Sequence, residues 1–229
     1  MENNHPKNNE PENSELNSEF QETNHQPGPW KIFVGIFLIL IVTIWLVPYY
    51  GIKQNPEPNY LPSIEELNIP QLVIPNVESK NIKSNNIKSY IQTTPDIKKI
   101  ADQIISLSCK ETHRICNAKA IFYFVQNNFK YLNDPLAYEY FKTPQESFLS
   151  NTGDCDDSSI LLSSLLQSVG FQTRFVFVPG HVYVQVKIPE AKSSYKEEND
   201  WINIDSTCQG CKFGEVHYKY VKEKKEYLN

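Results

Sequence analysis

Glycine and methionine are scarce in this 229-residue chain, at 8 and 1. Asn, Lys and Ile are abundant instead, a compositional bias rather than a mark of function. A basic excess is also missing. The net charge of −5 argues against nucleic acid as the main partner, because phosphate binding needs a clustered positive surface. Residues 1–55 carry 3 Lys/Arg and 6 Asp/Glu, and the remainder carries 19 and 21. The carboxyl-terminal portion is therefore near neutral, and no charged substrate class follows. The length fits one or two domains.

Residues 1–29 lack apolar anchors almost entirely. Such a segment cannot bury enough surface to offset the entropy of ordering, so a disordered polar tail is predicted. The one long uncharged run is Ile32 to Val47, framed by Trp30-Lys31 and by Pro48-Tyr49-Tyr50-Gly51-Ile52-Lys53. It approaches the ~20 residues that cross a bilayer, and Trp30, Trp45, Tyr49 and Tyr50 suit the two interfaces. A cleaved signal peptide would need a basic start and a small-residue cleavage site. The leader here is acidic, and Pro-Tyr-Tyr follows the run. Residues 30–52 thus read as a retained single-pass transmembrane helix. Lys31 and Lys53 sit symmetrically, so charge does not orient it.

Residues 53–93 carry Pro56, Pro58, Pro62, Pro70 and Pro75 among polar residues, and Asn-Ile-Lys-Ser occurs at 81–84 and again at 86–89. This pattern describes a stalk, with Leu72-Val73-Ile74 as an edge strand that docks on the domain. From Thr94 onward the pattern is globular. Thr94-Pro95 and Thr143-Pro144 each give an N-cap followed by proline at the first helical position. Helices are predicted over 95–108, over Asn117–Lys130, from Pro144 to near Leu149, and over Ser158–Val169, the last led in by Cys155 and closed by Gly170. The apolar period then falls from 3.6 to 2. Strands are predicted over Phe171–Val178, His181–Ile188 and Asp200–Asp205. Helices followed by an antiparallel sheet make residues 94–229 an α+β domain.

The chemistry concentrates at Gly153-Asp154-Cys155-Asp156-Asp157. A thiol at the start of an apolar helix meets the positive end of the dipole and unpaired N–H groups, which favour the thiolate. His181 and Asp205 follow on two strands. Taken singly, each has a plain structural reading: a buried thiol, a surface histidine, a turn-capping aspartate. Together and in this order they supply nucleophile, general base and orienting carboxylate.

This order resembles the transglutaminase-like superfamily of papain-like thiol enzymes. The resemblance rests on the Gly-Asp-Cys-Asp-Asp helix start, the Leu-Leu-x-x-Leu-Leu helix ending at Gly170-Phe171, and the strand carrying Arg174. Gly180-His181-Val182-Tyr183 and Trp201-x-x-x-Asp205 complete it, and the match spans about residues 96–208. The resemblance implies a papain-like core with Cys155 as nucleophile, His181 as base and Asp205 as the group that orients it. The family often carries Trp after the histidine; here Tyr183 stands two residues on. The backbone N–H of Cys155 can supply half of an oxyanion hole, with Gln145 and Tyr131 as candidates for the other half.

Asp154, Asp156, Asp157 and His181 do not match the calcium-loop spacing, so the carboxylates read as helix caps and no metal or cofactor is predicted. Three carboxylates also oppose a thiolate, and Arg174 is a candidate to moderate them. Cys109, Cys116, Cys208 and Cys211 remain as disulfide or zinc candidates. A local Cys109–Cys116 bridge is the most natural pairing, and the Cys208-x-x-Cys211 unit lacks the βαβ setting of a thioredoxin site. Residues 208–229 read as a solvated terminal segment or a partner-binding tail.

The sequence therefore predicts a membrane-anchored thiol enzyme acting on peptide or glutamine amide bonds, by hydrolysis or acyl transfer. Its partners are a protein or peptide substrate and the membrane, with the domain outside the cytoplasm. The alternative is a catalytically silent scaffold for protein interaction at the membrane surface.

Overall fold

A computed structural model describes residues 28–67, 69, 84–134 and 140–229. The polar tail up to residue 27 and the Leu72-Val73-Ile74 segment lie outside the described residues. The chain divides into two compact units, residues 1–46 and 47–229. Helix α1, Pro29–Gln54, contains a 23-residue stretch, Pro29–Gly51, long and apolar enough to cross a membrane. A signal sequence near an N-terminus meets the same criterion.

In the second unit, α2 (Pro95–Ser108) and α3 (Arg114–Asn128) are followed by the two-residue strand β1 (Lys130–Tyr131). Helix α4 (Pro144–Ser150), strand β2 (Thr152–Gly153) and helix α5 (Cys155–Ser168) come next. Strands β3 (Gln172–Val178), β4 (His181–Lys187), β5 (Trp201–Ile204) and β6 (Glu226–Leu228) complete the fold. The proline-led helices start as their sequences dictate. Thr94 Oγ1 accepts from Ile97 N, and Thr143 closes a capping box with Glu146. Gly170, at φ +86°, ends α5, where the amide of Phe171 reaches back to Leu166 O. Only glycine takes that conformation without strain.

Helix α3 begins at Arg114, three residues before the predicted start, and is buried nearly all round, so it shares the central position with α5. Its interior includes Lys119. The four strands run in the antiparallel order β5-β4-β3-β6. The alternation of β4 sends Val182, Val184 and Val186 into the main core with α5, while Tyr183 joins Val176 and Val178 in a second cluster. Helices on one face and an antiparallel sheet behind them give the expected α+β fold.

Residues 55–67 pack against the helices of this unit. The Asn59 amide donates to Ser108 O, Asn128 donates from Nδ2 to Pro62 O, and Leu67 is buried. Lys119 Nζ, only 1% exposed, donates to Asn55 Oδ1 at 2.9 Å and pairs with the Glu57 carboxylate. Cys109–Cys116 and Cys208–Cys211 are disulfides. Among the described residues no cluster of His, Cys, Asp and Glu could hold a metal ion.

Candidate active site

The Gly153 loop is built by two short strands. β1 runs parallel to β2 with Tyr131 opposite Gly153, and the Leu132 amide donates to Gly153 O. A Cβ on Gly153 would lie 2.6 Å from Cβ of Asp157, so the loop folds tightly over the first turn of α5. Asp154 is the N-cap; its Oδ1 accepts from the amides of Asp156 and Asp157 at 3.1 and 3.3 Å. Cys155 is the first residue of the helix.

The acidic residues have separate tasks. Asp157 is buried and accepts from the Lys142 amide at 2.7 Å and from Lys142 Nζ at 3.0 Å. Burial still pushes its carboxyl above the usual range against the pull of Lys142. Asp154 is pushed up to about 6, first by burial and then by the charge of Asp157. Lys142, not Arg174, is therefore the cation that moderates this cluster. Arg174 donates from Nε to Gln185 Oε1 and lies between the Trp201 and Tyr227 rings. Sequence reading missed Lys142 because 15 positions separate it from its partner.

His181 and Asp205 meet across the β4–β5 pair. Their side chains are 7% and 2% exposed, and Nε2 lies 3.0 Å from Oδ2. A carboxylate there holds the ring in the tautomer with the proton on Nε2, which leaves Nδ1 as the basic nitrogen. Asp205 Oδ1 is in turn held by Thr207, through its amide at 3.2 Å and its hydroxyl at 2.8 Å.

Helix α5 meets this pair through the backbone of β4. One turn along α5, Ser159 Oγ donates to Val182 O at 3.4 Å. The Val182 amide, next in the chain to His181, is one of the groups that stabilise the Cys155 thiolate. Burial and the charges of Asp156 and Asp154 outweigh it, and the thiol is pushed up to about 12. The helix dipole alone thus does not ionise this sulfur. The thiol points to Asp156 Oδ1 at 3.9 Å, and among the described residues no hydrogen bond joins it to the imidazole. Of the two further oxyanion candidates, Tyr131 feels the Cys155 charge and is itself pushed up to about 12, mainly by burial. Gln145 is buried with Oε1 unpartnered.

Sequence reading also missed Tyr220. Its ring stacks on the His181 imidazole, with centroids 4.5 Å apart and planes 13° from parallel.

The model of the transglutaminase-like superfamily matches residues 98–206. No curated protein sequence matches the chain. Among solved structures, Legionella pneumophila LapG in its EGTA-treated form is 20% identical, covers 65% of this chain and 82% of its own, and has a TM-score of 0.43. LapG itself and its calcium-bound form are each 19% identical over 65% of this chain and 84% of theirs, with TM-scores of 0.41 and 0.40. Over residues 98–206, then, this chain matches the transglutaminase-like superfamily.

Proposed function

We propose that this protein is a membrane-anchored thiol enzyme acting on peptide or glutamine amide bonds. Cys155 attacks the acyl carbon, and His181 Nδ1 accepts the thiol proton. A thioester forms as the C–N bond breaks, and the imidazolium returns the proton to the leaving amine. Water or an acceptor amine then releases the acyl group, with His181 again taking and returning a proton. Asp205 holds the ring and stabilises its charged form. The Cys155 amide, at the start of α5, faces the developing oxyanion.

The observation that carries this reading is the His181–Asp205 contact at 3.0 Å, set beside the amide that supports the Cys155 thiolate. The apolar helix α1 supports the anchor. Two disulfides support a domain on the oxidising, extracytoplasmic side.

The test is a peptide library incubated with the full chain in detergent micelles and read by mass spectrometry. Cleavage fragments that together gain a water, exchange of a side-chain amide for a carboxylate with release of ammonia, and peptide–peptide products formed with loss of ammonia separate hydrolysis, deamidation and cross-linking. Products are expected with the wild type and not with Cys155→Ala. Identical product patterns from both proteins would remove the enzyme reading.

The thiol's bond to Asp156 and its raised pKa favour a second reading, a catalytically silent scaffold at the membrane. A cellular phenotype unchanged by Cys155→Ala but lost on deleting the domain is the outcome that reading predicts.

A further inference from the structure

The segment after the Cys208–Cys211 disulfide crosses the outer face of the sheet from one edge to the other. At the β5 edge the Gly214 amide donates to Asn203 O at 3.0 Å. Gly214 has φ +94°, and a Cβ there would lie 2.8 Å from Cδ1 of Tyr195, so the crossing starts at a position that only glycine fills without strain. Val216 and Tyr220 then pack on Val176, Val178 and Tyr183. Lys225 Nζ pairs with Glu197 Oε1 at 2.6 Å. Finally β6 adds to the open edge of β3, with Phe175, Val176 and Phe177 opposite Leu228, Tyr227 and Glu226.

This strap is fixed at both ends and in the middle, unlike a lid poised to open. It also lies beyond residue 206, where the family match stops. Its Tyr220 ring lies almost flat against His181.

The consequence concerns one torsion. The bond to Asp205 fixes where Nε2 sits but not the tilt of the imidazole about that contact, and the Tyr183 ring stacks more distantly, with centroids 6.3 Å apart. An aromatic face against the ring removes this freedom and shields the Nε2–Asp205 bond from water. Nδ1 then keeps a fixed heading. We propose that Tyr220 is a positioning residue for His181, supplied by the carboxyl-terminal strap. The inference rests on His181 acting as the base for Cys155.

The experiment measures the rate at which iodoacetamide alkylates Cys155 at neutral pH in the full chain in detergent micelles, read by intact mass. Cys155→Ala gives the blank, and His181→Ala gives the rate without the base. Tyr220→Ala and Tyr220→Leu are expected to slow alkylation roughly tenfold, the scale on which a misdirected catalytic group loses rate. Tyr220→Phe, which keeps the stacked ring, is expected to match the wild type. Leu fills the volume without a π face, so the Leu–Phe comparison separates stacking from packing and stands even where the alanine variant fails to fold. Wild-type labelling of Tyr220→Leu would overturn the proposal. So would faster labelling of Tyr220→Ala, which would make the ring a cap over the site. If His181→Ala labels as fast as the wild type, the thiol-enzyme reading itself fails. If only the Tyr220 variants leave the rate unmoved, that reading stands and the positioning role falls.

Discussion

Asp205 divides its two oxygens between two duties: Oδ2 lies 3.0 Å from His181 Nε2, and Oδ1 accepts from the amide and hydroxyl of Thr207. The carboxylate is thus aimed by the turn behind it, and the imidazole is aimed by the carboxylate. The chain of support runs from the β5 turn to the ring and ends at Nδ1.

Replacing Asp205 by Asn keeps the shape but lets an amide N–H face Nε2, which favours the wrong tautomer. Turnover of any peptide substrate is expected to fall by roughly 10²–10⁴ with little change in melting temperature. Steady-state kinetics beside a thermal melt check this. A variant with wild-type turnover would show that the carboxylate does not set the tautomer.

Lys119 is sealed inside α3, while its partner Glu57 is 58% exposed. The asymmetry predicts asymmetric mutants. Glu57→Gln keeps an acceptor for the buried ammonium but removes its countercharge, and solvent screening holds the cost to about 1 kcal/mol. Lys119→Met removes the buried charge and leaves Glu57 in water, so it is expected to cost less. Combining the two should recover the loss of the first. Urea midpoints of the three variants measure it.

Asp154 binds its proton more tightly in the folded chain, up to about 6, than a free aspartate does at about 3.9. Between those values the folded state holds the extra proton, so this group's stabilising contribution is full below the lower value. It is lost as pH rises from about 4 to about 6. Asp154→Asn still caps the helix but does not titrate. The difference in melting temperature, wild type minus variant, is expected to fall across that window. A flat difference would contradict it.

Gly153→Ala drives a Cβ into Asp157, which Lys142 holds in place. The expected cost is about 1–3 kcal/mol, with a displaced Cys155 loop. Denaturant unfolding gives the first and alkylation of Cys155 gives the second.

The sequence made the fold legible where local rules agreed. Thr-Pro caps opened α2 and α4, Asp154 capped α5, and the change of period at Phe171 marked the sheet. The nearness of His181 to Asp205 was legible for the same reason, because two consecutive antiparallel strands pair side by side. What stayed hidden depended on tertiary distance. Lys119 in α3 reads as a solvated lysine until Asn55 and Glu57 close over it. Strands β1 and β2, of two residues each, are too short to show a period. Tyr220 sits in a charged run, Lys219 to Lys225, that reads as a solvated surface; only the crossing of the sheet brings its ring to His181. The helix dipole at Cys155 and the opposing carboxylates are readable from spacing, but the burial that outweighs the dipole depends on tertiary packing.

The account turns on whether Cys155 forms a thioester with His181 as its base. The most direct measurement is the intact mass of the full chain during reaction with an activated peptide ester. A transient acyl adduct on Cys155 is expected, absent from Cys155→Ala and formed far more slowly by His181→Ala. An adduct that appears equally fast without the imidazole, or none on that sulfur at all, would contradict it.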